Sequence, residues 1–426
     1  MQGLHLTADL FKCACSPDLL TDRGALQAAC IRLVRIAGLT VVGDDFHQFS
    51  DVAGAASGVT GLVLLAESHL AVHTWPELNA VTLDVYVCNF REDNTRKAEA
   101  LTDSLVALFA PERSCRNSLQ RGVPTSPNSP YAPDAPDAAD ASYLTLEHLA
   151  PDIVHGFASR RLLATTHTEF QRIEWHDTKT LGRTLSLDDA FMLSEGDEFI
   201  YHECMVHVPA LAHAAPQSAF VMGGGDGCTA RELLKHTSIK RIVIAELDPG
   251  VVASCREHLS RVNQGALDDS RVEIVIGDAM STLADETKLF DLIVLDLTDP
   301  NDAADSPANA LYSKESFELI RSRLSADGLV TAHIGSPFYH PDRFSKTLAD
   351  LTSVFEHVAA YKAFMPIYGT EWGMACASNQ TDPRALSEAE ISERLTTRAI
   401  TDLRFYTPRV HASLFAWPAY AEKLGA

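Results

Sequence analysis

The sequence predicts an α/β protein in successive parts: an N-terminal α+β sandwich, a small β section and a doubly wound parallel-sheet domain. Three observations carry that prediction. The run "PTSPNSPYAPDAPDAADAS", Pro124 to Ser142, has no periodic apolar positions and divides the chain, because such a composition cannot offset its ordering entropy by burial. Before it, strands that alternate apolar and polar residues lie between segments of helical period. After it, short continuous apolar runs alternate with helices, and that βαβ rhythm implies a parallel sheet covered on both faces.

In residues 1–120, "GLHLTADLFKC" alternates as a strand and "DRGALQAACIRLVRIAG" has helical spacing. "TGLVLLAES", "LAVHTW" and "AVTLDVYVC" are strands, and "TRKAEALTDSLVALF" closes the part as a helix. Residues 121–142 are the linker. In residues 143–212, "GRTLSLDDAFML" and its neighbours form a small antiparallel section. Residues 213–426 carry the apolar strands "SAFVM", "RIVIAE", "RVEIVIG", "DLIVLD" and "LVTAHI" with helices between them.

The net charge of −22 over 426 residues is spread along the chain. It disfavours nucleic acid and anionic membrane surfaces as partners and favours cationic small molecules. Nine cysteines at irregular spacing include no zinc-like pair of CxxC motifs and describe no secreted scaffold, so reduced thiols and a cytoplasmic location are expected. No apolar run approaches the roughly 20 residues that span a bilayer, and no signal peptide is read at "MQGLHLTADLFKC".

Two stretches concentrate chemistry. In "LLAESHLAVHTWPELNAVTLDVYVCNF" the alternation puts Ala71, His73 and Trp75 on one face of a strand, and Thr82, Asp84, Tyr86 and Cys88 on one face of the next. Taken singly, His73 reads as a satisfied histidine, Cys88 as a small hydrophobe and Ser68 as a turn residue. Farther on, "FVMGGGDGCTAREL" joins a strand to a helix through glycines, Gly223 among them, that let backbone approach a ligand. Asp226, Glu246 in "IAELDP", Asp278 in "VIGDA" and Asp296 in "LDLTDP" then bring acids to the carboxyl ends of successive strands, where open α/β sheets bind ligands. An acid after the second strand suits ribose hydroxyls, and Asp278 suits an adenine amino group.

The string "ESHLAVHTWPE" with Cys88 downstream, together with "GLHLTADLFKC" and "FHQF", resembles the prokaryotic S-adenosylmethionine decarboxylase proenzymes. The resemblance implies self-cleavage between Glu67 and Ser68. Ser68 Oγ attacks the Glu67 carbonyl, the resulting ester is eliminated with His73 handling the proton, and hydrolysis leaves a pyruvoyl group derived from Ser68. That carbonyl, condensed with the substrate amine as a Schiff base, is the electron sink that no ordinary side chain supplies. Cys88 is the implied proton donor after loss of CO2. A pyruvoyl decarboxylase of another amino acid, ornithine or arginine, is the alternative for this part.

"DEFIYHE" (Asp197 to Glu203), "GGGDG" and "DLTDP" together resemble the spermidine synthase family of aminopropyltransferases, whose catalytic domain is Rossmann-like and of methyltransferase type. By that resemblance Gln171, His202, Gly223, Asp226, Glu246, Asp278 and Ala279 hold decarboxylated S-adenosylmethionine or methylthioadenosine. Tyr201, Asp296, Asp299 and Tyr368 grip the acceptor amine, with Asp296 as proton acceptor. Putrescine is the expected acceptor. The insertion "DPNDAADSPANALYSKESF" keeps a longer polyamine open, and the nucleoside features alone also suit a methyltransferase. No metal is expected, and the resemblance implies a homo-oligomer, a dimer of cleaved chains. The two halves fit one pathway, the first making the sulfonium that the second consumes.

Overall fold

The computed structural model describes residues 2–50, 56–89, 93–122, 143–150, 152–298 and 310–426. The chain separates into two compact units, Met1–Asp140 and Ala141–Ala426. Nearly all of the expected linker, and Asp299, lie outside the described residues.

In the first unit, strands β1 (Gln2–Cys13), β2 (Val41–Ser50), β3 (Ala56–Leu65), β4 (Ser68–Trp75), β5 (Ala80–Cys88) and β6 (Pro111–Gly122) form one antiparallel sheet in the order β2-β3-β4-β5-β1-β6. A short helix α1 (Asp18–Thr21) precedes α2 (Arg23–Ile36), and α3 (Thr95–Phe109) follows β5. Asp22 starts α2 by accepting the Ala25 N–H, as an N-cap should. Leu26, Cys30 and Leu33 of α2 and Leu101, Leu105 and Phe109 of α3 bury one face of the sheet, against Leu70, Val72, Val81, Leu83, Val85 and Val87. The period-two pattern of β5 therefore sends its valines inward, leaving Thr82, Asp84 and Tyr86 half-buried on the opposite face, where Leu62 and Leu64 of β3 are exposed. This is the two-layer arrangement expected of an α+β sandwich. Strands β2 and β6, which lack clean alternation, were not anticipated.

The second unit begins with β7 (Tyr143–Ala150), β8 (Ile153–His167), β9 (Arg172–Thr178), β10 (Arg183–Leu187) and β11 (Ala190–Ser194), a sheet ordered β11-β10-β9-β8-β7. Asp188 and Asp189, both at positive φ, make the two-residue turn between β10 and β11, the conformation that suits the right-handed twist of a hairpin. Helix α4 (Glu198–Ala212) follows, with nearly its whole circumference buried.

A seven-stranded sheet is built from β12 (Ser218–Gly223), β13 (Arg241–Glu246), β14 (Val272–Ile276), β15 (Phe290–Asp296), β16 (Leu324–Gly335), β17 (His357–Met365) and β18 (Thr370–Ser378), in the order β14-β13-β12-β15-β16-β18-β17. The five strands read from apolar runs are parallel. β17 and β18, rich in Ala, Gly and Met, extend the sheet antiparallel and were not foreseen. Helices α5 (Cys228–Leu234), α6 (Pro249–His258), α7 (Ser260–Asn263), α8 (Ala279–Asp285), α9 (Lys314–Arg323) and α10 (Pro341–Val354) connect the strands, and α11 (Glu388–Thr397), α12 (Pro408–Leu414) and the short α13 (Ala419–Glu422) follow the last strand. The direction of winding reverses at β12, between β13 and β15, which makes the carboxyl ends of these strands the switch point where such sheets bind ligands. Among the described residues no helix is long and apolar enough to cross a membrane.

Two candidate active sites

In the first unit, Leu65 pairs with Ser68, so Ala66 and Glu67 form the whole connection between β3 and β4. Glu67 takes φ of 65°, a left-handed conformation that costs a non-glycine residue about 1 kcal/mol or more. The carbonyl preceding Ser68 thus belongs to a strained residue in a tight turn. Ser68 Oγ accepts the Cys88 N–H at 3.0 Å, which ties the start of β4 to the end of β5. Cys88 is buried, and the chain beyond it is pinned by Asn94 Nδ2 donating to its carbonyl at 3.0 Å. Ser68 and Cys88 are therefore brought together.

His73 is not brought to them within one chain. It stands five residues along β4 from Ser68, roughly 16 Å at the rise of a strand, where its Nδ1 lies 3.0 Å from Thr60 Oγ1. The groups that do stand near Ser68 are Glu67, His69, Tyr86 and Arg121, which line a shallow recess with it. Asp84 Oδ1 lies 2.8 Å from His5 Nε2 and 3.4 Å from His69 Nε2. His5 was overlooked in the sequence, although the pairing of His5 with Tyr86 puts it on the same face.

In the second unit, a cavity of about 460 Å³ at the carboxyl edge of the sheet is lined by Gln171, Tyr201, His202, Gly223, Asp226, Glu246, Asp278, Ala279, Asp296 and Tyr368. Every described residue that the motifs singled out for this site is therefore in one place. The lining also contains Asp188, Asp197, Glu198 and Asp248, giving, among the described residues, eight carboxylates, one imidazole and no lysine or arginine. Such a wall selects cations.

The glycine turn is required by geometry. A Cβ at Gly225 would lie 2.8 Å from Glu246 Oε2, and Gly223, Gly224 and Gly227 all take positive φ. Glu246, at the end of β13, accepts the Asp248 N–H at 2.9 Å and the Gly225 N–H at 3.2 Å. Burial nevertheless pushes its carboxyl up to about 7. Gln171 Nε2 donates to Asp248 Oδ2 at 2.9 Å, and Thr168 Oγ1 donates to the same oxygen at 2.8 Å. Asp278 caps α8 by accepting the Ser281 N–H with one oxygen.

On the other side of the glycine turn, Asp296 ends β15 and accepts the Thr229 hydroxyl at 2.7 Å. Burial and then the Asp226 charge raise its carboxyl, while His202 and Thr229 hold it down. Tyr201 and His202 enter from the first turns of α4. His202 Nδ1 lies 2.7 Å from the Glu198 carbonyl and 2.9 Å from Glu198 Oε2, and its Nε2 lies 3.7 Å from Asp226 Oδ1. Asp197 fixes the far wall by accepting the Ile367 N–H at 2.7 Å. Tyr368 donates to the Met192 carbonyl at 2.6 Å and packs 4.7 Å from the Trp372 ring. Glu198, Thr229, Arg231 and Asp248 support the site without having been read from the sequence. The first of these lies inside "DEFIYHE", so the motif itself was its signal.

Residues 198–388 match the family model described as the spermine/spermidine synthase domain, and residues 4–122 match the model for S-adenosylmethionine decarboxylase. Over 279 residues the chain is 41% identical to the polyamine aminopropyltransferase of Nitrosomonas europaea, covering 66% of this chain and 85% of that one. Over 258 residues it is 36% identical to that of a Ruegeria species, covering 60% and 89%. A spermidine synthase crystallised with the transition-state analogue AdoDATO superposes with a TM-score of 0.62 at 29% identity, covering 66% of this chain and 94% of that one. The spermidine synthase of Thermotoga maritima gives 0.59 at 28%, covering 66% and 93%.

Proposed function

Because this chain belongs to the polyamine aminopropyltransferase family and carries an S-adenosylmethionine decarboxylase domain ahead of that part, we propose that Ser68 initiates self-cleavage, that Cys88 serves the decarboxylation, and that Asp296 is the base for transfer to putrescine. Both domains belong to enzyme families, so the protein is a bifunctional enzyme of polyamine biosynthesis.

In self-cleavage, the Ser68 hydroxyl adds to the Glu67 carbonyl carbon, and the C–N bond breaks in favour of a C–O ester. Elimination releases the 1–67 carboxylate and leaves a dehydroalanine, which takes up water and loses ammonia to give the pyruvoyl group. The Ser68–Cys88 contact at 3.0 Å and the left-handed Glu67 suit this chemistry, since they present the hydroxyl and a strained carbonyl together. Once formed, the pyruvoyl carbonyl supplies the electron sink for loss of CO2. The Cys88 thiol then delivers a proton to the substrate carbon.

His73 lies on the uncovered face of the sheet with exposed Leu62 and Leu64. Its distance from Ser68 along its own strand supports a role exercised across a pair of chains, and this open apolar face supports the homo-oligomer. All nine cysteines are free, in keeping with a reducing cytoplasm.

In the second domain, the acceptor nitrogen attacks the aminopropyl carbon beside the sulfonium, the C–S bond breaks onto sulfur, and methylthioadenosine leaves. The observation that carries the reading is the meeting of Asp296, Asp226 and Tyr201 in a cavity walled by eight carboxylates. An amine is protonated at neutral pH, so a carboxylate at the nucleophile and others along its length are what the reaction needs. Purified protein given S-adenosylmethionine and putrescine should release CO2, methylthioadenosine and spermidine. S-adenosylhomocysteine in place of methylthioadenosine would replace this reading with methyl transfer.

A further inference from the structure

We propose that Glu198, clamped by Arg231, is a positioning residue for the transfer reaction: it fixes His202 with Nδ1 donating and Nε2 turned toward Asp226, so that a buried cation pairs with Asp226 and Asp296 and keeps the attacking amine uncharged. The inference rests on the aminopropyl-transfer reading above.

The clamp is bidentate. Arg231 Nη1 and Nη2 donate to Glu198 Oε1 and Oε2 at 2.9 Å each, and Arg231 Nε donates to Glu232 Oε1 at 2.7 Å. The side chains of Glu198 and Glu232 are 1% exposed and that of Arg231 is 8% exposed. Such a pair is rigid and dry, and fork-to-fork geometry fixes the carboxylate plane. Both Glu198 partners of His202 Nδ1 are acceptors, the backbone carbonyl and Oε2, so Nδ1 carries a proton. On the other side, His202 Nε2 lies 3.7 Å from Asp226 Oδ1, and a ring nitrogen of His202 and one oxygen each of Asp226 and Asp296 lie within 4.8 Å of one another.

The groups facing His202 set its charge. From α4 and its cap they are Asp197, Glu198 and the Tyr201 ring, from the turn into α5 and its first residue Asp226 and Cys228, and from β15 Asp296. Arg231 stands behind Glu198 and is neutralised by it and Glu232. Burial alone would push His202 down, but the Glu198 hydrogen bond and the Asp226, Glu198 and Asp296 charges outweigh it and raise the ring to about 9.

A cation in a pocket built for cations has a use here. The acceptor nitrogen must shed a proton before its lone pair can attack, and a like charge within about 4–6 Å disfavours the ammonium form. The carboxylates elsewhere in the wall still hold the distal ammonium. The proton lost from the near nitrogen passes to Asp296.

The test uses the full chain. Methylthioadenosine release from decarboxylated S-adenosylmethionine and putrescine is followed against pH in the wild type, Glu198→Gln and Glu198→Asp. In the wild type, activity should fall on the alkaline side as His202 loses its proton near 9. Glu198→Gln keeps the shape but not the charge, so burial should prevail and move that fall down by about one pH unit or more. Glu198→Asp, which keeps the charge, should restore part of the shift. Histidine ring NMR, with His202 assigned by its loss in His202→Gln, reads the protonation itself and does not depend on turnover. A wild-type His202 ring that is neutral at pH 7 overturns the proposal. So does an unmoved alkaline limb in Glu198→Gln that folds and binds methylthioadenosine as the wild type does. If Glu198→Gln does not fold, the wild-type titration decides alone. Failure of the wild type to release methylthioadenosine at any pH would sink the transfer reading instead, and the NMR titration would still judge the clamp.

Discussion

Asp296→Asn separates base catalysis from binding. The replacement keeps the residue's size and leaves an amide oxygen to accept the Thr229 hydroxyl, which now lies at 2.7 Å. The backbone carbonyl of residue 296 continues to accept the Gly224 N–H at 2.9 Å, so the glycine turn is undisturbed. What disappears is a proton acceptor at the end of β15 and one negative charge. Losing general-base help lowers rates by about 10²- to 10⁴-fold, roughly 3 to 5 kcal/mol of barrier. The lost charge also weakens the hold on a cationic acceptor, so the putrescine KM should rise by about tenfold. Nucleoside affinity should stay within about threefold of the wild type, because Glu246 and Asp278 hang on other strands. The assay is stopped-time release of methylthioadenosine, with CO2 release measured on the same preparation and expected to be unchanged. A variant that keeps more than a tenth of wild-type transfer would refute Asp296 as the base.

The first domain can be tested by complementation: Ser68→Ala and His73→Ala chains should each stay uncleaved when made alone. If His73 acts across a pair, co-expression should restore cleavage of the His73→Ala chain, whereas intact mass showing no cleavage would confine each site to its own chain. Cys88→Ala should still cleave to some extent yet decarboxylate poorly, and normal CO2 release from it would remove the thiol from the mechanism. Burial raises Glu246 to about 7 in the free protein, and a ribose-holding role for it requires the ionised form to accept both hydroxyls. Binding pulls its carboxyl down, so affinity is full above 7 and is lost as pH falls through 7. Methylthioadenosine should bind about tenfold more weakly at pH 6 than at pH 8, and a flat calorimetric profile would show that Glu246 is not its ligand.

What the sequence disclosed depended on how local the physics was. The alternation in "AVTLDVYVC" is a single-strand property, and β5 buries its valines as that pattern demands. The parallel strands were legible because each is a continuous apolar run, and β17 and β18 were missed because their Ala, Gly and Met residues carry no such signature. The motifs located one wall of the transfer site from short strings. Its support was another matter: Arg231 reaches Glu198 across 33 positions, and Asp248 receives Gln171 across 77. No periodicity announces a pairing at those separations. The same limit explains His73, whose nearness to Ser68 in sequence becomes a long distance once both lie on an extended strand.

The distribution of charge in the second site argues for a link between the two reactions beyond their order. A glycine turn, Glu246 and Asp278 would serve any sulfonium nucleoside equally. Asp226 and Asp296 do not, because they converge on His202, with Asp296 beside Tyr201. Decarboxylated S-adenosylmethionine carries an aminopropyl arm that ends in an ammonium group, which this wall attracts. Intact S-adenosylmethionine keeps that ammonium but adds a carboxylate on the same arm, and a like charge within a few ångströms of Asp226 and Asp296 in a partly dry site is disfavoured by roughly a few kcal/mol. Under the proposed function, the cavity is therefore expected to admit what the decarboxylase domain makes and to turn away what that domain consumes. Product analysis reads this directly, since intact S-adenosylmethionine given to a Ser68→Ala protein should yield neither methylthioadenosine nor S-adenosylhomocysteine.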